Sequence, residues 1–302
     1  ERLLEFAKFT VEILNDVVLA NQAYMELILS DAYTHRFHSM GTVDSHNHVN
    51  FYDGLVRVVD VEGAEIVKYH PRDYLDHVAE HVEPWTYLKF PFLKQKGWHG
   101  FEDGADSGLY RATPLSRLNA ADGMATPLAQ AEYERFYETL TGDKSGKTPV
   151  HQTLATHWAR VVEMVYAAER TLQLAVDDEI TSDEIRVLPT ETPTEGVGSV
   201  EAPRGTLTHH YVTDDKGILQ RVNLIVGTTN NHGPISMSIK KAAQGIIKRG
   251  VEVTEGVLNR IEMAFRAYDP CFACATHSLP GEMPLVVRVR APDGTVLAEG
   301  GR

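Results

Sequence analysis

The residues best suited to chemistry are gathered late in the chain, in Asp269-Pro270-Cys271-Phe272-Ala273-Cys274-Ala275-Thr276-His277. Cys271 and Cys274 are the only cysteines in 302 residues, spaced Cys-x-x-Cys, with His277 three positions after the second. Thiolates at i and i+3 across a turn can grip one metal ion, or bridge two by sharing a sulfur. Pro270 limits the backbone ahead of Cys271, and Asp269 sets a carboxylate beside the thiols. Spacing alone leaves three other readings open. A thioredoxin-like pair usually opens a helix after a strand, whereas this one follows an apparent helix. A zinc site takes four ligands, so with no second Cys-x-x-Cys it would need histidines. A pair of inert buried cysteines is the plainest alternative.

The bulk of the chain bounds what this stretch can serve. At 302 residues it can bury a sizeable core, in one large domain or two small ones. A content of 43% hydrophobic and 24% charged residues is ordinary for a soluble globular protein. The net charge of −13 argues against nucleic acid or anionic membrane as the main partner. No apolar run is long enough to span a bilayer. Two cysteines in one motif point to metal or redox use in a reducing compartment, so a cytoplasmic protein is expected. The chain opens mid-helix at Glu1, with neither methionine nor signal peptide, and an upstream portion is expected to be missing.

Periodicity places the elements around the motif. Residues 2–30 read as a long helix or helical pair, apolar enough to lie inside a bundle. Residues 56–61 and 64–68 read as a hairpin about Glu62-Gly63. His35, His38, His46 and His48 lie close in sequence, but their spacing fits no common ligand pattern; a polar loop without a site is expected. Residues 85–119 look irregular. Helices follow over 127–140 and 150–176, the second carrying His157, Arg160, Glu163 and Glu169 on an otherwise apolar surface. Arg160 and Glu163 are spaced to pair as a structural tie. Residues 177–200 read as a solvated loop. A second hairpin, 206–212 and 218–225, turns at Asp214-Asp215-Lys216-Gly217. Helices over 234–248 and 256–268 lead into the cysteine motif, and a last hairpin spans 285–289 and 295–298. The expected class is α+β, predominantly helical.

Arg266 to His277, read as Arg-Ala-Tyr-Asp-Pro-Cys-x-x-Cys-Ala-Thr-His, resembles the carboxy-terminal signature of nickel-iron hydrogenase large subunits. Four further segments resemble that family in its order: Tyr87-Leu88-Lys89-Phe90-Pro91, the stretch 110–119, Glu201-Ala202-Pro203-Arg204-Gly205, and Leu224-Ile225-Val226-Gly227-Thr228-Thr229-Asn230-Asn231. The resemblance implies a large-subunit-like helix bundle with small peripheral β-hairpins over residues 1–277, and an extension, 278–302, removed on maturation by a specific protease. It implies a nickel-iron centre with cyanide and carbon monoxide on iron, nickel held terminally by Cys271 and bridged to iron by Cys274. Arg204 then hangs over the centre and Asp269 pairs with it. Pro203 and Thr228 face the iron's ligands, and His277 helps bind a separate magnesium or iron ion.

The implied activity is reversible oxidation of dihydrogen. Electrons would pass to an iron-sulfur small subunit, and onward to subunits of the NAD(P), F420 or heterodisulfide reductase type. No nucleic acid and no membrane span enter this reading. The chain departs from the family in three ways. It lacks the amino-terminal cysteine pair and the proton-relay glutamate, has Thr-Pro-Leu-Ser-Arg for Gly-Pro-Leu-Ala-Arg, and puts Gly227 where proline is usual, which is expected to loosen that loop. Arg117 is expected to tie loops together through carbonyls. A non-catalytic respiratory-complex-type relative and a zinc-binding Cys-x-x-Cys protein are the alternatives.

Overall fold

The computed structural model describes residues 1–248, 250, 252–271 and 286–301. Helix α1 (Arg2–Ile13) runs into a π-helical stretch (Leu14–Leu19), and α2 (Gln22–Ile28) begins where the Asn21 side chain accepts from the Ala23 amide at 3.0 Å. The helical start is as expected, but its place inside a bundle is not. Ala7 and Leu14 are buried, while Leu3, Phe6, Phe9 and Val17 are exposed. Apolar residues lie on several sides of this helix, and α6 (Thr156–Ala175) covers only one stripe of it.

Helix α6 is the hub. Leu115 and Leu118 of α4 (Pro114–Ala120) and Tyr133, Phe136 and Tyr137 of α5 (Pro127–Thr141) pack against Trp158, Ala159 and Val162. Helix α4 lies within a stretch expected to be irregular, yet all seven of its residues are buried. Its start was readable: Thr113 Oγ1 accepts from the Ser116 amide at 3.2 Å and Pro114 follows the cap. Helix α5 ends at Gly142 with φ of +76°, the left-handed geometry that glycine adopts without cost.

Glu169 of α6 sits at the start of α5. It accepts from the Leu128 and Ala129 amides at 3.0 and 2.9 Å and from Thr126 Oγ1 at 2.6 Å. Those amides have no partner inside their own helix, and the carboxylate meets the positive end of its dipole. Glu169→Ala is expected to lower unfolding free energy by about 2 kcal/mol, because buried donors are left unpaired. An unchanged urea midpoint would show that α5 needs no such cap.

A four-stranded sheet has the order β3-β2-β1-β6, built from β1 (His38–Val43), β2 (Leu55–Val59), β3 (Glu65–Tyr69) and β6 (Tyr110–Arg111). Strand β1 runs antiparallel to β2 and parallel to β6, and is buried at all six positions, so this sheet reaches the interior. Strands β4 (Val78–Val82) and β5 (Lys89–Leu93) form a ribbon beside the short helix α3 (Tyr74–His77). The second expected hairpin is part of a three-stranded sheet: β7 (Glu195–Ala202), β8 (Gly205–Thr213) and β9 (Leu219–Ile225). Residues 195–200 are therefore strand, not loop. Their Gly-rich, polar sequence carries little strand preference, and pairing with β8 from Glu195↔Val212 to Ala202↔Gly205 supplies it. After β9 come α7 (Gly227–Asn230), α8 (His232–Ile246), α9 (Glu255–Arg266), β10 (Val286–Arg290) and β11 (Val296–Gly301). The α+β class stands.

The early histidines do not converge. His35 Nδ1 meets Asp103 Oδ2 at 2.8 Å, His38 Nε2 meets the Ser107 carbonyl at 2.9 Å, and His46 stacks on His48. His35 and His38 are buried rather than in a polar loop, His38 on β1. Burial also holds the pKa of His38, His157 and His232 below the usual imidazole value; for His151, burial and then the charge of Arg111 push it to about 4. The unfolded chain, with imidazoles near 6.5, binds these protons more readily than the folded one. Stability is thus full above about pH 6.5 and falls as pH drops toward 4. The urea midpoint is expected to be lower at pH 5 than at pH 7.5; equal midpoints would mean the rings accept protons in place.

Candidate metal centre

Three chain segments meet here. The first is the turn from β7 to β8, Ala202-Pro203-Arg204-Gly205. A Cβ on Gly205, where φ is +147°, would stand 2.0 Å from the Ala112 carbonyl oxygen, so no other residue fits that approach. The second is α7 with the asparagines after it. Gly227 is pressed against Gly205, where an added Cβ would lie 3.0 Å from the Gly205 nitrogen. The glycine expected to loosen this loop is closely packed within it. Asn231 accepts from the Ala112 amide at 2.9 Å and donates to the carbonyls of Ala112 and Gly227 at 2.9 and 2.8 Å. Asn230 donates to the Thr206 carbonyl at 2.6 Å and accepts from the Tyr110 hydroxyl at 2.6 Å. As bare sequence these asparagines read as a polar turn; Asn230 in fact welds the turn to β6 and β8, and Asn231 to Ala112 just after β6.

The third segment follows α9. Tyr268 is buried and bonds Ser238 Oγ at 2.9 Å; Asp269 then turns into the left-handed region with φ of +50°. This turn brings Cys271 to α7, where its amide donates to Thr228 Oγ1 at 3.1 Å. Arg204 Nε stands 3.1 Å from Asp269 Oδ2. The N–H is not aligned on that oxygen, and Nε remains without a hydrogen-bond partner, so the contact is one of charge alone. Arg204, Asp269, Thr228 and Cys271 therefore come together. Pro203 forms part of the wall of an adjoining cavity of about 300 Å³, with Phe51, Arg160, Glu163 and Asp269. Cys274 and His277 lie outside the described residues, as does the start of the expected extension, 278–285.

Behind this turn lies a charge network that the sequence only partly announced. Arg117 is 1% exposed and grips Glu163 with Nε and Nη2, both at 2.6 Å. Its Nη1 bonds Glu201 Oε2 at 2.9 Å and the Ala202 carbonyl at 2.8 Å. Arg117 thus ties loops through carboxylates first and carbonyls second. Burial alone would lower its pKa, but Glu163 and Glu201 hold it well above the usual guanidinium value. Glu163 does not pair with Arg160: helix spacing allowed it, but the bidentate fork of Arg117 takes both oxygens. Arg160 instead donates to the Ala267 carbonyl at 2.8 Å, bracing the approach to Cys271. The opposite end of Glu201 accepts from the Thr42 amide, Thr42 Oγ1 and Thr206 Oγ1.

These residues suit a thiolate-ligated metal. A soft sulfur donor is carried on a loop fixed by backbone bonds, beside a guanidinium whose buried Nε has no hydrogen-bond partner. Cys271 is disulfide-bonded in this structure, so ligation takes the reduced form.

Comparison with known proteins agrees. The sequence profile of nickel-dependent hydrogenase matches residues 112–277. The chain is 45% identical over 297 residues to an iron-sulfur subunit of the F420-non-reducing hydrogenase of Archaeoglobus profundus, covering 98% of this chain and 60% of that protein. It is 40% identical over 266 residues to the beta subunit of the NAD-reducing hydrogenase HoxS of Cupriavidus necator, covering 87% and 52%. Among solved structures, an NAD+-reducing [NiFe]-hydrogenase in the H2-reduced state aligns with a TM-score of 0.79 at 33% identity, over 91% of this chain and 57% of that one. The chain spans about half to three fifths of the length of these relatives. With three of the site segments inside the matched region, the chain belongs to the nickel-dependent hydrogenase family.

Proposed function

We propose that this chain forms part of the catalytic subunit of a nickel-iron hydrogenase that reversibly oxidises dihydrogen. The observation that carries the reading is the convergence of Cys271, Thr228, Arg204 and Asp269 from three separate segments. Cys271 and Cys274 would hold the metals as thiolates, with Pro203 and Thr228 facing cyanide and carbon monoxide on iron. When bound, the centre supplies the Lewis acidity and electron capacity that cleave dihydrogen. Arg204 sets a fixed positive charge and several donors over the pocket, and Asp269 holds that side chain in place. His277 is assigned to a separate magnesium or iron ion. Metal analysis of the full-length protein tests the reading. Nickel with iron is the expected result; zinc alone, or no metal, overturns it in favour of a zinc protein or a non-catalytic relative.

Electrons are proposed to leave through an iron-sulfur small subunit, as the family resemblance implies. Relatives named as subunits of NAD-reducing and F420-non-reducing hydrogenases support further electron-transfer subunits. Of the proposed NAD(P), F420 and heterodisulfide reductase types, the first is the one a relative's name supports, and the other two rest on the family resemblance alone. No helix among the described residues is long and apolar enough to cross a membrane. A cytoplasmic location is proposed, where thiols stay reduced.

Arg204→Lys is expected to keep the metals but slow turnover by roughly 10²–10³, the usual cost of losing one preorganised electrostatic group. Lysine retains the charge and loses the planar fork. Unchanged turnover would make Arg204 a structural residue.

The extension 278–302 is proposed to be cut away after His277 by a maturation protease. Strands β10 and β11 pair with each other in a sheet of their own, which suits a removable piece. The intact mass of active enzyme is expected to lack it; a chain retaining it would defeat this proposal and leave the hydrogenase reading standing.

A further inference from the structure

Arg111 ends β6, beside Ser39 of β1, and is 1% exposed. Its Nη1 reaches Thr153 Oγ1 at 3.4 Å, its guanidinium carbon lies 5.5 Å from the Phe37 ring centre, and the Tyr268 hydroxyl is beside it. Nε and Nη2 have no hydrogen-bond partner among the described residues. No carboxylate of the described residues forms an ion pair with it. Asp103, the acidic group whose field reaches it, is already engaged by His35 Nδ1 at 2.8 Å and by the Arg36 amide at 3.0 Å. Arg117, buried to the same degree, faces two carboxylates. A guanidinium does not shed its proton, so Arg111 holds a whole charge inside the protein with no anion of the described residues against it. Water would satisfy its donors and leave the charge uncompensated.

Its place in the fold says what the charge faces. The next residue, Ala112, is bonded at both backbone atoms by Asn231 and is the surface on which Gly205 packs, one residue from Arg204. Tyr268, beside the guanidinium, is three residues before Cys271, so their Cα atoms are within about 11 Å. Arg111 therefore adjoins both the residue on which the arginine turn packs and the tyrosine that leads into the cysteine loop.

We propose that Arg111 is the buried counter-cation of the metal centre, a positioning residue whose fixed charge offsets the anionic, thiolate-ligated metals and raises their midpoint potential. The inference rests on the nickel-iron reading above. Inside the protein such a charge is little screened by salt. It stabilises the reduced, more negative state of the centre over the oxidised one. In the metal-free chain the same charge has nothing to offset, and an apolar side chain of similar length is tolerated at least as well.

The test uses full-length enzyme carrying Arg111→Met or Arg111→Lys. Two quantities are read: the nickel midpoint potential by titration with paramagnetic resonance, and the urea midpoint of the nickel-free chain. Arg111→Met is expected to shift the potential to more negative values, while Arg111→Lys stays near wild type. The nickel-free Arg111→Met chain is expected to be no less stable than wild type. Loss of nickel in Arg111→Met but not in Arg111→Lys supports the same conclusion, since charge alone separates the two. An unchanged potential in nickel-loaded Arg111→Met, an equal shift or nickel loss in both variants, or a less stable nickel-free Arg111→Met chain overturns the inference. A wild-type enzyme without nickel overturns the underlying reading instead, and the inference with it.

Discussion

Full-length protein carrying Cys271→Ser is expected to purify without nickel and to show no measurable hydrogen uptake. Serine keeps the size of the side chain but replaces a soft, readily ionised sulfur with a hard hydroxyl that stays protonated. The fold should survive, because the loop is held by backbone groups: the residue 271 amide on Thr228 Oγ1, and the Ala267 carbonyl on Arg160. Loss of metal with an unchanged urea midpoint is therefore the signature of a ligand. Uptake near the wild-type level would remove Cys271 from the centre. Metal loading must be done under reducing conditions, since the disulfide-bonded sulfur has no thiolate to offer.

The second large effect is expected at Arg117. Arg117→Met removes the cation from between Glu163 and Glu201, whose side chains are 9% and 0% exposed. Two carboxylates are then buried without a counter-charge, a change that costs about 3–5 kcal/mol where one partner of a buried pair is deleted. Urea unfolding of the variant reads that loss directly. Adding Glu163→Gln should recover part of it, since the two residues share one network and their effects do not add. Nickel content should fall as well, because Arg117 Nη1 holds the Ala202 carbonyl at the turn carrying Arg204. A loss below about 1 kcal/mol, the scale of an exposed pair, would mean that water reaches the network.

The longer helices and the residues able to do chemistry were legible in the sequence, while α3, α4 and α7 were not. Apolar spacing placed α5, α6, α8 and α9 close to where they lie, because a helix buries one stripe and the stripe is written at 3.6-residue intervals. Turn residues such as Asp214-Asp215-Lys216-Gly217 located β8 and β9, because local backbone geometry alone demands them. The long, specific motif around Cys271 named the family, which the match over 112–277 agrees with. Tertiary structure decided what depends on partners far away in the chain. Strand β7 exists through its pairing with β8, and the buried strand β1 through β2 and β6, neither of which its own residues announce. Helical spacing offered Glu163 to Arg160, but a guanidinium 46 residues earlier reaches it with two bonds instead. The close packing of Gly227 on Gly205 is likewise invisible in the sequence. Only the folded interior could show that Arg117 is matched by two carboxylates while Arg111 has none among the described residues: burial and counter-charge are properties of the packed chain, and nothing in the spelling of either arginine carries them.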